Sequence, residues 1–226
     1  MTRAWRVFAV GLVLLGAAVL GAYLHERYAG TAPLAPPLVN SQPRAPRIPE
    51  IRPLFSLVDS RGQRRSIAEW DGHPLLVNFW ATWCEPCQRE IPLLNTLREQ
   101  GAPPGLEVIG IAVDRPESVI AYLAQHPVRY PILIGEQEGL DVASAFGIET
   151  IGFPITAFID GRGEILTVHL GELKPPEAER VLKVLAQVES GAVPVLAGRD
   201  LLRRTDPGQG RAAEGTAISE LPAVRR

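Results

Sequence analysis

The chain has 226 residues, of which 46% are hydrophobic, and 23 basic against 25 acidic side chains leave a formal net charge of −2. That is enough apolar material for a globular core, and the near-neutral balance carries no basic field of the kind a nucleic-acid partner needs. Only two cysteines are present, which excludes a small fold stapled by several disulfides.

The N-terminus is short and basic (Met1-Thr2-Arg3-Ala4-Trp5-Arg6), and Val7 to Leu24 then gives 18 residues without a charge, closed by His25-Glu26-Arg27. As a helix that run is about 27 Å long, close to the hydrocarbon thickness of a bilayer. Residues 1–29 therefore read as a single-pass anchor in the inner (cytoplasmic) membrane. Arg3 and Arg6 favour a cytoplasmic N-terminus, which places the rest of the chain on the periplasmic side. A cleaved signal peptide is the alternative, with Ala17, Ala18 and Ala22 offering cleavage sites, although its apolar region is usually shorter, about 7–15 residues. Both readings export the domain to an oxidising compartment. There, a single cysteine pair is more plausibly the working group than a staple.

Seven prolines fall within residues 30–53. Such a segment resists packing and tends to extended polyproline II, so it is expected to be a tether. The folded domain is expected over residues 54–191. Leu54–Val58 and Gln63–Ile67 flank Asp59-Ser60-Arg61-Gly62, the pattern of a hairpin. Leu75–Ala81 is an apolar run of buried-strand length, and the helical pattern of Cys84–Gln100 follows, with Pro92 expected to kink it.

Between strand and helix lies Trp83-Cys84-Glu85-Pro86-Cys87, which holds both cysteines. At a helix N-terminus, free N–H groups and the helix dipole favour a thiolate on Cys84. Cys87 lies one turn further on, within reach of a mixed disulfide formed on Cys84. The pattern points to redox chemistry by a Cys84–Cys87 disulfide, with no other cofactor. Half of a zinc site is the bland reading, but it needs a second ligand pair, and His25, His73, His126 and His169 are scattered. No metal is expected.

Leu106–Val113 reads as a second buried strand, followed by a helix near Pro116–Gln125, a short strand at Tyr130–Ile134 and a helix over Gly139–Phe146 closed by Gly147. Gly152-Phe153-Pro154 precedes a strand at Ile155–Ile159, where a proline marks a strand start or a cis bond. Asp160-Gly161-Arg162-Gly163 turns that strand into Glu164–Leu170, and Pro175–Val188 is the last helix. Strands alternating with helices imply an α/β sandwich with a mixed sheet. Residues 192–226 have few large apolar side chains and are expected to be a disordered tail.

The stretch Leu76-Val77-Asn78-Phe79-Trp80-Ala81-Thr82-Trp83-Cys84-Glu85-Pro86-Cys87-Gln88-Arg89-Glu90-Ile91-Pro92, together with Gly152-Phe153-Pro154 and Phe158-Ile159-Asp160, resembles the thioredoxin superfamily. Within it the chain is most similar to the membrane-anchored TlpA/ResA/CcmG branch. The resemblance spans about Leu54–Glu189. It implies a thioredoxin fold, a mixed central sheet flanked by helices, with an N-terminal β-hairpin and an inserted strand–helix unit. It also implies that Pro154 is cis and packs on the disulfide, and that the backbone before it pairs with a substrate strand. Thioredoxins place a buried Asp where this chain has Asn78, which cannot take a proton. In the TlpA/ResA branch a Glu three residues after the second cysteine is thought to take that role, and Glu90 stands there, an i,i+3 neighbour of Cys87.

The expected catalytic residues are Cys84, Cys87 and Glu90, with Trp83, Glu85, Pro86, Phe153 and Pro154 shaping the substrate surface. Carboxylates at Glu85 and Glu90 oppose ionisation of the neighbouring thiols, so a low reduction potential is expected, nearer about −270 mV than about −120 mV. The resemblance implies a reductant of protein disulfides in cytochrome c biogenesis. It would be fed by a membrane electron donor of the DsbD/CcdA type, with the Cys-x-x-Cys-His disulfide of apocytochrome c as substrate. The rivals are a general disulfide reductase or isomerase, and a copper-site maturation factor that binds Cu(I) through its cysteines.

Overall fold

The computed structural model describes residues 16–27, 48–148 and 152–205. Residues 16–27 are helical, and among the described residues no helix is long and apolar enough to cross a membrane. The first part of the expected anchor, most of the tether and residues 206–226 lie outside the described residues.

Residues 75–80 and 107–112 are apolar at nearly every position, the pattern of strands covered on both faces, and they form the two central strands of one sheet. In chain order the elements are β1 (Ser56–Asp59), β2 (Arg64–Ser66), a 3-10 turn (Ile67–Trp70), β3 (Leu75–Trp80), α1 (Glu85–Gln100) and β4 (Glu107–Ala112). There follow α2 (Pro116–Gln125), β5 (Ile132–Ile134), α3 (Gln137–Ala145), β6 (Ile155–Ile159), β7 (Ile165–Leu170), α4 (Pro175–Glu189) and α5 (Val195–Thr205). The seven strands lie in the order β2-β1-β5-β4-β3-β6-β7. β3 pairs in parallel with β4, and β4 with β5, while β3–β6, β6–β7, β1–β5 and β1–β2 are antiparallel. The sheet is therefore mixed, and the N-terminal hairpin and the inserted β4–α2–β5 stretch both fall where the sequence predicts them.

The two-residue strand period sorts the core into two layers. Leu76, Trp80, Val108, Ala112 and Phe158 face α1 and α4, where Ile91, Leu94, Val181 and Leu185 meet them. Leu75, Val77, Phe79, Ile109, Ile111 and Ile155 face the other way, onto Ile67, Trp70, Val142 and Phe146. Phe79 and Phe146 meet edge-on, with centroids 5.6 Å apart. Gly110 on β4 is needed at the first layer. A Cβ there would come within 2.6 Å of Ile132 Cδ1, 3.0 Å of Trp80 Nε1 and 3.1 Å of the Tyr130 ring. α1 runs unbroken through Pro92 and ends at Gly101, which has φ 55°.

Two boundaries differ from the sequence expectation. Residues 50–52, assigned to the tether because Pro49 and Pro53 flank them, run beside β7: Ile51 bridges Glu164, Ile165 N–H donates to Glu50 O and Arg52 N–H donates to Gly163 O. The expected disorder from residue 192 is corrected for Val195–Thr205, which forms α5. Its Val195 and Leu202 lie seven residues apart on one face and are buried in the first core layer. Gly198 lets the helix approach, since a Cβ there would sit 3.0 Å from Val188 Cγ2 and 3.1 Å from Leu166 Cδ1. Arg199 then reaches across to the carbonyls of Ile165 and Glu50. Two apolar residues at helical spacing are too sparse for composition to reveal, yet sufficient to dock a helix whose other face is charged.

Candidate active site

β3 ends at Trp80, and the chain must turn sharply to start α1. Asp114, just after β4, holds that turn by accepting from Thr82 N–H at 3.0 Å and Thr82 Oγ1 at 2.5 Å. Gln88 Nε2 caps the same turn through Thr82 O at 2.6 Å. Cys84 is thereby set as the N-cap of α1, with its Sγ accepting from Cys87 N–H at 3.3 Å. Glu85 and Pro86 occupy the first turn, where a proline's missing N–H has no helical partner to lose. Cys84 and Cys87 are joined in a disulfide. Cys84 is 4% exposed and Cys87 fully buried, so an incoming group meets Cys84 first.

The loop before β6 brings the second half of the site to this point. The Phe153–Pro154 peptide is cis, and Pro154 O accepts from Gly171 N–H at 2.9 Å. The Phe153 ring lies 6.2 Å from that of Trp83. Trp83 itself is 70% exposed, so the two rings form an aromatic shelf beside the cysteines, with one side open to solvent. Neither ring position was specified by spacing along the chain, since about 70 residues separate them.

One turn beyond Cys87, Glu90 is buried at 2% exposure. Its position beneath the sheet-facing side of α1 rules out an ordinary solvated helix carboxylate. Oε1 accepts from Asn78 Nδ2 at 2.7 Å and Oε2 from Leu173 N–H at 2.8 Å. Burial raises its pKa from 4.5 to about 7, opposed by those two hydrogen bonds, and the Glu172 charge adds to the rise. A carboxyl half-ionised near neutral pH can both take and give a proton.

Glu85, by contrast, is solvent-facing and paired with Arg89 at 2.8 Å, and Arg89 also pairs with Glu172 at 2.7 Å. The guanidinium offsets the charge that the sequence set against the Cys84 thiolate. Arg89, Glu172, Thr156, Leu173 and Asp114 were not singled out from the sequence. Thr156, two residues after Pro154, and Arg89, four residues after Glu85 on the expected helix, carried a usable local signal. The others depend on contacts between elements far apart in the chain. Among the described residues, no group of three or more His, Cys, Asp or Glu side chains is placed to hold a metal ion.

A mixed sheet with a Cys-x-x-Cys disulfide at a helix N-terminus, facing a cis-proline loop, defines a thioredoxin-fold thiol-disulfide oxidoreductase. Residues 45–185 match the Redoxin family, and the chain belongs to that family. It is 32% identical over 132 residues to the thiol-disulfide oxidoreductase ResA of Halalkalibacterium halodurans, a match covering 58% of this chain and 73% of that protein. Thioredoxin-like protein YneN of Bacillus subtilis is 31% identical over 134 residues, covering 58% and 75%. Among solved structures, a thioredoxin-family thiol:disulfide interchange protein from Chlorobium tepidum TLS superposes with a TM-score of 0.54 at 30% identity. That match covers 61% of this chain and 97% of the other.

Proposed function

We propose that this protein is an extracytoplasmic reductant of protein disulfides, held at the inner membrane by its N-terminal apolar run. The observation that carries the thiol-exchange mechanism is the buried Glu90 carboxyl one turn from Cys87, where a proton must move with each exchange. In the reduced protein the Cys84 thiolate attacks a client disulfide, forming a Cys84–client bond and releasing one client thiolate. Cys87 gives its proton to Glu90 and attacks Cys84 Sγ. The mixed disulfide breaks, the second client thiolate leaves, and the Cys84–Cys87 disulfide forms. Two electrons pass to the client, and a membrane donor of the DsbD/CcdA type restores the dithiol.

The Trp83–Phe153 shelf and the backbone before Pro154 suit an extended peptide presenting its disulfide edge-on. The Cys-x-x-Cys-His segment of apocytochrome c is the proposed client. The reading is tested with Cys87→Ser, which leaves the attacking thiol but removes the resolving one. Mixed disulfides recovered from periplasmic extract should contain proteins with Cys-x-x-Cys-His segments, and Cys84→Ser should recover none. Capture of unrelated disulfide proteins alone would replace this client with general reduction, and no capture at all would overturn the mechanism.

A further inference from the structure

Glu90 is held from two directions, and neither holder belongs to its own helix. Asn78 on β3 donates to Oε1, and the Leu173 N–H, in the loop between β7 and α4, donates to Oε2. The second hydrogen of Asn78 Nδ2 goes to Thr156 Oγ1 on β6 at 3.0 Å. The Glu90 carboxylate demands a donor, which sets the orientation of the amide, because its oxygen facing the charged carboxylate would be repulsive, and the Thr156 hydroxyl accepts the remaining hydrogen.

Asn78 and Thr156 lie opposite each other in the sheet, and Thr156 lies opposite His169 on β7. This polar row interrupts a layer that is otherwise apolar. Asn78 Oδ1 has no protein partner there, and an unpaired buried acceptor costs free energy that an apolar side chain would avoid. Packing therefore does not explain an amide at this position.

We infer that Asn78 is a positioning residue for Glu90: with the Leu173 N–H it forms a two-point clamp that aims the carboxyl and favours its charged form without itself titrating. This rests on the reading of Glu90 as proton carrier for Cys87. A carboxylate at position 78 would share one proton with Glu90 and split its titration, whereas the amide leaves Glu90 to titrate alone. The other groups around Glu90 are Cys87, Glu85 and Arg89 on α1, Tyr130 before β5, His169 on β7 and Glu172 in the loop. Arg89 pairs with both Glu85 and Glu172, and Tyr130 is coupled electrostatically to Glu90.

The clamp is read by carboxyl carbon NMR on the full-length protein in its oxidised form, where the cysteines do not titrate. The Glu90 signal is the one absent from Glu90→Gln. Its midpoint is expected at about 7 in the wild type. Asn78→Leu removes one charge-assisted bond and is expected to raise that midpoint by about one to two pH units. Thr156→Val keeps the bond to Glu90 and is expected to leave the midpoint near wild type. An unchanged midpoint in Asn78→Leu, or an equal shift in Thr156→Val, overturns the clamp.

If the leucine variant does not fold, Asn78→Asp serves instead. Two separated titration steps support the inference, and a single step at the wild-type midpoint overturns it. The pH profile of protein-disulfide reduction, measured on the same variants, separates the two claims. A carboxyl midpoint that moves while the rate profile stays put keeps the clamp and removes Glu90 from proton transfer to Cys87.

Discussion

Replacing Glu90 by Gln should change how stability depends on pH more than it changes stability at any one pH. The carboxyl titrates near 4.5 when unfolded and at about 7 when buried. Below pH 4.5 it is protonated in both states and no penalty applies. Between 4.5 and 7 the folded protein keeps a proton that the unfolded chain has released, so stability falls as pH rises. Above 7 the folded state carries the buried charge in full. At 1.36 kcal/mol per pH unit, the loss across this window is about 3 kcal/mol. Gln escapes that loss, but its NH2 must face one of two donors, Asn78 Nδ2 or Leu173 N–H, at a pH-independent cost of about 1–3 kcal/mol. Urea unfolding of the oxidised wild type and Glu90→Gln, from pH 4.5 to pH 8, gives the difference curve in which all other groups cancel. Wild-type stability relative to the variant should drop by about 3 kcal/mol with a midpoint between the two pKa values. A flat difference curve would refute the assignment of Glu90 as a buried carboxyl with a raised pKa.

Trp83→Ala should leave stability within about 0.5 kcal/mol, because the ring is largely in solvent. It should slow reduction of a protein disulfide by about tenfold, the value of a lost aromatic contact, while sparing small-molecule disulfides. Equal slowing on both substrates would remove the shelf from client binding. Truncation after Gly191 removes α5, whose Val195 and Leu202 are buried. It should cost about 2–4 kcal/mol by urea unfolding, an area value reduced for a compact unfolded chain. An unchanged unfolding midpoint would contradict the docking of α5.

The sheet and its helices were legible because each has a local signature. Leu75–Trp80 is apolar at all but Asn78, Pro116 and Pro175 open helices, and Gly147 closes one. The cysteine pair and Pro154 were legible because few residue types can do what they do at a helix start and before a strand. Glu90 was visible as a position, but its burial was not. An i,i+3 spacing from Cys87 is equally compatible with solvent, and only the covering by β3 and the Leu173 loop decides. The Arg89 pairing with Glu172 was hidden for the same reason, since 83 residues separate them, whereas its i,i+4 spacing from Glu85 was open to reading on the expected helix. α5 was missed because a docked helix with two buried apolar residues has nearly the composition of a tail.

The reduction potential of the Cys84/Cys87 couple tests the central claim most directly. The full-length protein would be equilibrated against glutathione or dithiothreitol buffers and the dithiol fraction read by thiol alkylation. A reductant fed from the membrane predicts about −220 mV or lower, whereas a value near −120 mV would mark an oxidant and contradict the direction of electron flow proposed here.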